Sequence, residues 1–267
     1  MLKSDLYPYT RQDIVQSLRE AGVCQGDHLF IHSNIGFFGA SSIGGNPQDY
    51  YRIFKEAIFE VIGSLGTLVV PTFSYSFCRN QIFDKVATPS VCGFFSEAVR
   101  KDTTSLRSED ANFSVAAIGC KARELTEDVS PYSFGRGSFW DRFYQLKGKF
   151  CNFNFDSGST FFHYAERCFK VSYRYDKPFP GIVIENGKRV KKVFYHFVYD
   201  LNKPQDMPDF VKFDKKAKAL GLTKTSNLGR GQIVSVSAED VFDLIKESLK
   251  EDPRFLIQGD LMLKEKV

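Results

Sequence analysis

The chain has 267 residues, 36 of them basic and 32 acidic, with a formal net charge of +4 and a hydrophobic share of 43%, as in ordinary soluble globular proteins. The charges are scattered rather than blocked, which argues against nucleic acid as a partner and leaves room for a phosphate-bearing small molecule. No apolar run approaches the roughly 18 residues of a membrane span. Six cysteines, at 24, 78, 92, 120, 151 and 168, make no CxxC or Cys/His metal spacing. Together with a polar opening stretch, MLKSDLYPYTRQD, they predict free thiols in a reducing cytoplasm.

Taken in chain order, Thr10 caps a first helix over 10–22, with Asp13 completing a capping box and Gly22 ending it. HLFIHSN (28–34) reads as a short buried strand, and the Gly/Ser-rich loop 36–47 leads into a long helix that stops at Gly63. GTLVVPTFSYS (66–76) is a second strand. Irregular chain precedes a helix over 92–101, and SVAAIG (114–119) is a strand of small residues. Helices are expected at 121–129 and 138–148, a strand at KFCNFNF (149–155), and a helix over 159–169 after a tight DSGS turn. The segment 172–199 alternates apolar and polar residues around Asn186-Gly187, the strongest short hairpin signal. Two helices, near 214–221 and 237–252, follow. The pattern predicts a single mixed α/β domain over 1–267, with a central sheet flanked by helices and an antiparallel hairpin extension.

Chemistry narrows onto few residues, because there are only four histidines: 28, 32, 163 and 196. His163 and Glu166 lie three apart on a predicted helix, so they share a face. A carboxylate on one imidazole nitrogen fixes the tautomer and makes the other nitrogen a better base. The preceding strand and turn place this helix at the carboxyl end of a strand, where open α/β sheets bind ligands, and the helix start offers free amides. His32, Ser33 and Asn34 end the first strand ahead of a Gly-rich loop whose amides suit a pyrophosphate. Arg107, Ser108 and Ser114 offer a forked donor and hydroxyls for another phosphate. A two-histidine, one-carboxylate metal set of His32, His163 and Glu166 is a competing reading.

Several of these segments together resemble the aminoglycoside 3-N-acetyltransferase family, which is distinct from the GNAT superfamily. They are IHSNIGFFG (31–39), GTLVVPTFSYSF (66–77), FDKVATPSVCGFFSEAVR (83–100), RSEDANFSVAAIG (107–119) and GKFCNFNFDSGSTFFHYAE (148–166), in that order. The resemblance implies acetyl-CoA as co-substrate, no metal, an amine on a sugar as acceptor, and direct transfer without a covalent enzyme intermediate. It makes His163 the catalytic base and Glu166 the carboxylate that orients it. It sets Ser33, Asn34 and Ile35 in the loop that meets CoA, and Arg107, Ser108 and Ser114 in the other CoA-facing loop. Tyr75, Asp84, Glu97 and Thr160, within matched segments, are taken as acceptor-binding candidates. The chain departs from the family at Asp110-Ala111, where His-Pro is usual, and at Asn34, where a second Ser is usual.

The segment 172–199 also looks like that of relatives acting in surface-glycan synthesis, and the chain's mildly basic balance suits an anionic acceptor. The expected acceptor is therefore a nucleotide-linked amino sugar, with antibiotic aminoglycosides as the alternative. A non-catalytic CoA- or sugar-binding relative and a metal-dependent hydrolase stay open as other classes. Glu166 is expected in a wet site, so that Glu166→Gln would fold normally. Exposed aromatics allow self-association as a homodimer.

Overall fold

The computed structural model describes residues 8–42 and 46–258. The chain opens with α1 (Arg11–Glu20), β1 (His28–Phe30), α2 (Pro47–Ile62) and β2 (Thr67–Pro71). Next come β3 (Phe83–Asp84), α3 (Phe94–Lys101), β4 (Leu106–Arg107), β5 (Val115–Gly119), α4 (Ala122–Thr126) and α5 (Phe139–Gln145). After β6 (Lys149–Phe153) and α6 (Phe162–Cys168), the long strands β7 (Arg174–Glu185) and β8 (Lys188–Tyr199) form a hairpin. The chain then runs through α7 (Val211–Ala219), β9 (Lys224–Leu228), β10 (Gly231–Ser237) and α8 (Ala238–Glu251).

The local signals act as their chemistry dictates. Thr10 and Asp13 form the reciprocal capping box of α1, and Ser138 and Ser237 cap α5 and α8. Asn46 caps α2 with Pro47 in its first turn, the position where a missing amide costs nothing. Residues 43–45 of the Gly/Ser-rich loop lie outside the described residues. Asn186 and Gly187 both take positive φ, 50° and 74°, as the expected two-residue turn requires.

Seven strands form one sheet in the order β4-β5-β2-β1-β6-β10-β9. β1 pairs in parallel with β2 on one side and β6 on the other, while β5 and β10 pair antiparallel to the strands they flank. Strand pleating sends Leu29, Leu68, Val70, Ala116, Ile118, Cys151 and Phe153 to a core beneath α1, α2 and α3. Phe30, Val69, Val115, Ala117 and Phe150 point the other way, into a second core beneath α4, α5, α6 and α8. Burial of both faces explains why these strands read as continuous apolar runs. The β7–β8 hairpin, joined by β3, makes a separate three-stranded sheet over a small core of Phe77, Phe83, Ala111, Val183 and Phe194.

The sequence reading lacks β9 and β10, since KTSNL and GQIVSVS are polar and only half alternate. Their place is decided by pairing: β10 aligns with β6 from Ile233↔Phe153 to Ser237↔Lys149. The topology positions the site. The connection after β1 runs to α2 on one face of the sheet and that after β6 to α6 on the other, so the carboxyl ends of β1 and β6 form a topological switch point, where open α/β sheets carry their ligand crevice.

Candidate active site

The loops after β1 and β6 are laced together at that crevice. Asn34 N donates to Phe153 O at 3.0 Å, and Asn154 Nδ2 donates to Asn34 O at 2.8 Å. Asn152 Nδ2 donates to the carbonyls of Asp156 and Gly158, at 2.6 and 3.1 Å, closing the DSGS turn. That leaves Asn152 Oδ1 as the acceptor for His32 Nδ1 at 3.2 Å, so His32 carries its proton on Nδ1. Burial pushes the His32 imidazole down to about 4, which keeps it neutral.

The turn delivers α6 and its dyad. His163 Nδ1 lies 2.7 Å from Glu166 Oε2, leaving Nε2 as the basic nitrogen. Glu166 is fully buried. Tyr173 donates to its Oε1 at 2.9 Å, and Arg174 Nε stands 2.7 Å from Oε2. Burial pushes the Glu166 carboxyl up, but His163 and Arg174 outweigh it and hold it below the usual range. Burial, then the Arg174 charge, lowers His163 against the raising pull of Glu166. His163 is thus a neutral imidazole, oriented by an anion, with its ring framed by Phe134 and Phe210. His163 lines a cavity of about 590 Å³, shared with Phe113, Phe134, Arg174, Lys177 and His196.

The Glu166 environment differs from the wet site expected, because a carboxylate with a guanidinium counter-charge can be dry. The amides at the start of α6 are not free either. Phe161 N is taken by Ser159 Oγ, Phe162 N by Ser159 O and His163 N by Thr160 O.

The loop after β1 keeps donors in reserve. Ser33 Oγ is buried without a hydrogen-bond partner, and the 3-10 turn Ile35–Phe38 starts with no side-chain cap. Ile35 lines a second cavity, of about 330 Å³, with Gly36, Gly39, Pro47, Tyr50 and Phe94. In the other expected loop the side chains turn inwards. Arg107 donates to the carbonyls of Thr72, Lys85 and Thr88 and to the hydroxyls of Thr72 and Ser114. Ser108 Oγ accepts from Val115 N, and Ser114 Oγ donates to Thr72 O. All three are buried, and their polar atoms tie β2, β4 and β5 together.

The acceptor candidates scatter. Tyr75, at φ 53°, packs edge-on to Phe113 and so adjoins the His163 cavity. Thr160 supplies the carbonyl that accepts from His163 N. Asp84 caps the turn over 84–88, and Glu97 pairs with Arg100 beside a different cavity. His32, His163 and Glu166 do not gather as a metal set, and among the described residues no group of three His, Cys, Asp or Glu is placed to hold a metal.

Comparison with known proteins decides the family. The model of the aminoglycoside 3-N-acetyltransferase family matches residues 30–250. The chain belongs to the aminoglycoside 3-N-acetyltransferase family. It is accordingly an acetyl-CoA-dependent N-acetyltransferase, with acetyl-CoA as co-substrate. Aminoglycoside N(3)-acetyltransferase VII of Streptomyces paromomycinus is 22% identical to it, over 91% of this chain and 92% of that one. The crystal structure of aminoglycoside acetyltransferase AAC(3)-Xa matches with a TM-score of 0.80 at 22% identity, over 94% of this chain and 95% of that one. The binary structure of AAC-IIIb with CoASH matches at 0.76 and 19%, over 91% and 96%. These solved structures establish the shared fold. Between the two acceptor classes weighed on the sequence, the relatives' names favour the aminoglycoside over the nucleotide-linked amino sugar.

The site of this acetyltransferase also holds residues that the sequence reading passed over. Lys170, at φ 53°, helps reverse the chain after α6 and returns Tyr173 and Arg174 onto Glu166; nothing in their spacing signals this. At Asp110, the family departure, a buried relay forms. Ser133 donates to Asp110 Oδ2 and accepts from His196 Nδ1 at 2.7 Å, while Asn112 Nδ2 donates to His196 Nε2 at 2.6 Å. A histidine from β8 thus stands against the loop where the family carries its own.

Proposed function

We propose that the chain transfers the acetyl group of acetyl-CoA directly to an amine on an amino-sugar ring, with His163 as general base. The observation that carries this reading is the His163–Glu166 pair at 2.7 Å, made through Nδ1 by a histidine that lines the large cavity. Nε2 takes a proton from the amine as nitrogen attacks the thioester carbonyl. The tetrahedral intermediate then collapses, the C–S bond breaks, and the imidazolium returns its proton to the departing thiolate. Glu166 opposes the charge that His163 gains. The loop over Ser33–Ile35 is read as the CoA side, supported by the unpartnered Ser33 hydroxyl, and an amide aimed at the oxyanion there would contribute about 3 kcal/mol. Aminoglycosides are the acceptors that the relatives' names support.

The same reading takes residues 1–267 as one aminoglycoside 3-N-acetyltransferase-like unit, since the family match runs through both sheets. Six free cysteines support a cytoplasmic setting; among the described residues no helix is long and apolar enough to cross a membrane. Thiol release from acetyl-CoA, measured over a panel of aminoglycosides and nucleotide-linked amino sugars, tests the assignment. His163→Asn should cost about 100- to 10,000-fold in rate. Full activity in that variant would sink the role of His163.

A further inference from the structure

Within the amino-sugar class, we propose that Lys177 makes the acceptor cavity an anion-recognising site, so that the preferred acceptor carries a phosphate or similar acidic group besides its amine. This rests on reading the cavity beside His163 as the acceptor site.

Lys177 lies on β7 directly opposite His196 of β8, and its Nζ stands 5.4 Å from the centroid of the Phe179 ring. All three residues line the cavity that His163 borders. The ammonium is therefore laid along the cavity wall rather than spent on a carboxylate. Lys188, Arg189 and Lys191, the other cations of the hairpin without an ion pair among the described residues, lie outside the cavity lining. Lys192 is clamped between Glu109 and Glu185, and Asp176, next to Lys177, is held by Arg167. Lys177 makes no ion pair among the described residues.

The other charges of the cavity point the same way. Arg174 pairs with Glu166, yet its Nη2 is buried without a hydrogen-bond partner, a donor that an incoming oxygen would satisfy. The carboxylate in the lining is Asp200, whose Oδ1 already accepts from Asn202 N and Nδ2 at 3.0 and 3.1 Å. A polycationic acceptor needs several carboxylates to replace its lost hydration. Here the lining offers one, Asp200, already engaged by Asn202, while Lys177 carries an ammonium without an ion pair and the charge of Arg174 is met by Glu166. A sugar bearing an amine and a phosphate instead places its negative group on Lys177 and its nitrogen near His163.

Phosphates also occur in CoA, so the test separates the two sources. Glucosamine 1-phosphate, glucosamine and acetyl-CoA are titrated calorimetrically into the native enzyme and into Lys177→Glu, a change at an exposed position checked by its melting temperature. The native enzyme should bind the phosphorylated sugar about tenfold more tightly than glucosamine, as one charge-assisted contact implies. Lys177→Glu should erase that preference and leave acetyl-CoA binding unchanged. Equal affinity for the two sugars, or no binding of either, overturns the proposal, as does a Lys177→Glu enzyme that loses acetyl-CoA affinity instead. Turnover of the same sugars reads His163 separately: a binding preference without acetylation would count against the base and leave Lys177 its role.

Discussion

The basicity of His163 is set by three neighbours that disagree. Burial and Arg174 favour the neutral ring, and Glu166 favours the charged one; the balance falls below the ordinary value near 6.5. A base must be unprotonated, so kcat should stay level as pH falls through neutrality and decline only below about 6.5. Glu166→Gln deletes the raising influence, so its acid limb should lie at still lower pH, on a reduced rate. An acid limb above 6.5 in the native enzyme would contradict this balance. The same variant leaves the buried Arg174 without its counter-charge, an uncompensated charge costing about 3 kcal/mol. Loss of stability in Glu166→Gln, read by denaturant unfolding, is therefore expected alongside loss of rate.

At the scale of elements, the geometry of the site depends on how the β9–β10 hairpin meets the loop after β6. Gly231 opens β10 against Asn154, whose Oδ1 accepts from Gln232 N at 3.0 Å while its Nδ2 reaches Asn34 O. A Cβ at Gly231 would lie 1.9 Å from Asn154 Oδ1 and 2.9 Å from the Phe38 ring. Gly231→Ala should thus cost about 1–3 kcal/mol by overpacking and raise the KM for acetyl-CoA through the displaced Asn34 loop. Gly36→Ala, with no atom within 4 Å of the added Cβ, should leave stability unchanged. Equal melting temperatures for native and Gly231→Ala enzyme would show that Asn154 is not the constraint.

Across the whole molecule, all four histidines sit where burial favours the neutral form, and each has its pKa lowered. In the unfolded chain they charge near 6.5, so below that pH the unfolded state binds more protons than the folded one. Their contribution is complete above about pH 6.5 and is lost as pH falls towards the folded values, about 4 for His32. The melting temperature should fall steadily between those limits. A flat profile from pH 7 to pH 4.5 would mean that these rings are hydrated in the folded protein.

What the chain determined by itself was local or periodic. The capping box at Thr10, the Asn186-Gly187 turn, the apolar runs of β1, β2, β5 and β6, and the three-residue spacing of His163 and Glu166 depend on neighbours a few positions away. Tertiary structure decided everything carried by long-range pairing. β10 is a strand because β6 offers it an edge, and β9 because β10 offers the next, not because their residues prefer it. Arg107 reads as a phosphate ligand until the carbonyls of Thr72 after β2 and of Lys85 and Thr88 after β3 surround it. Glu166 is dry because a reversal of the chain brings Tyr173 and Arg174 back upon it, and His196 meets Asp110 across 86 residues through Ser133. Hydrogen bonds and charge pairs between remote segments leave no periodic trace in the sequence, and those contacts shape this cavity.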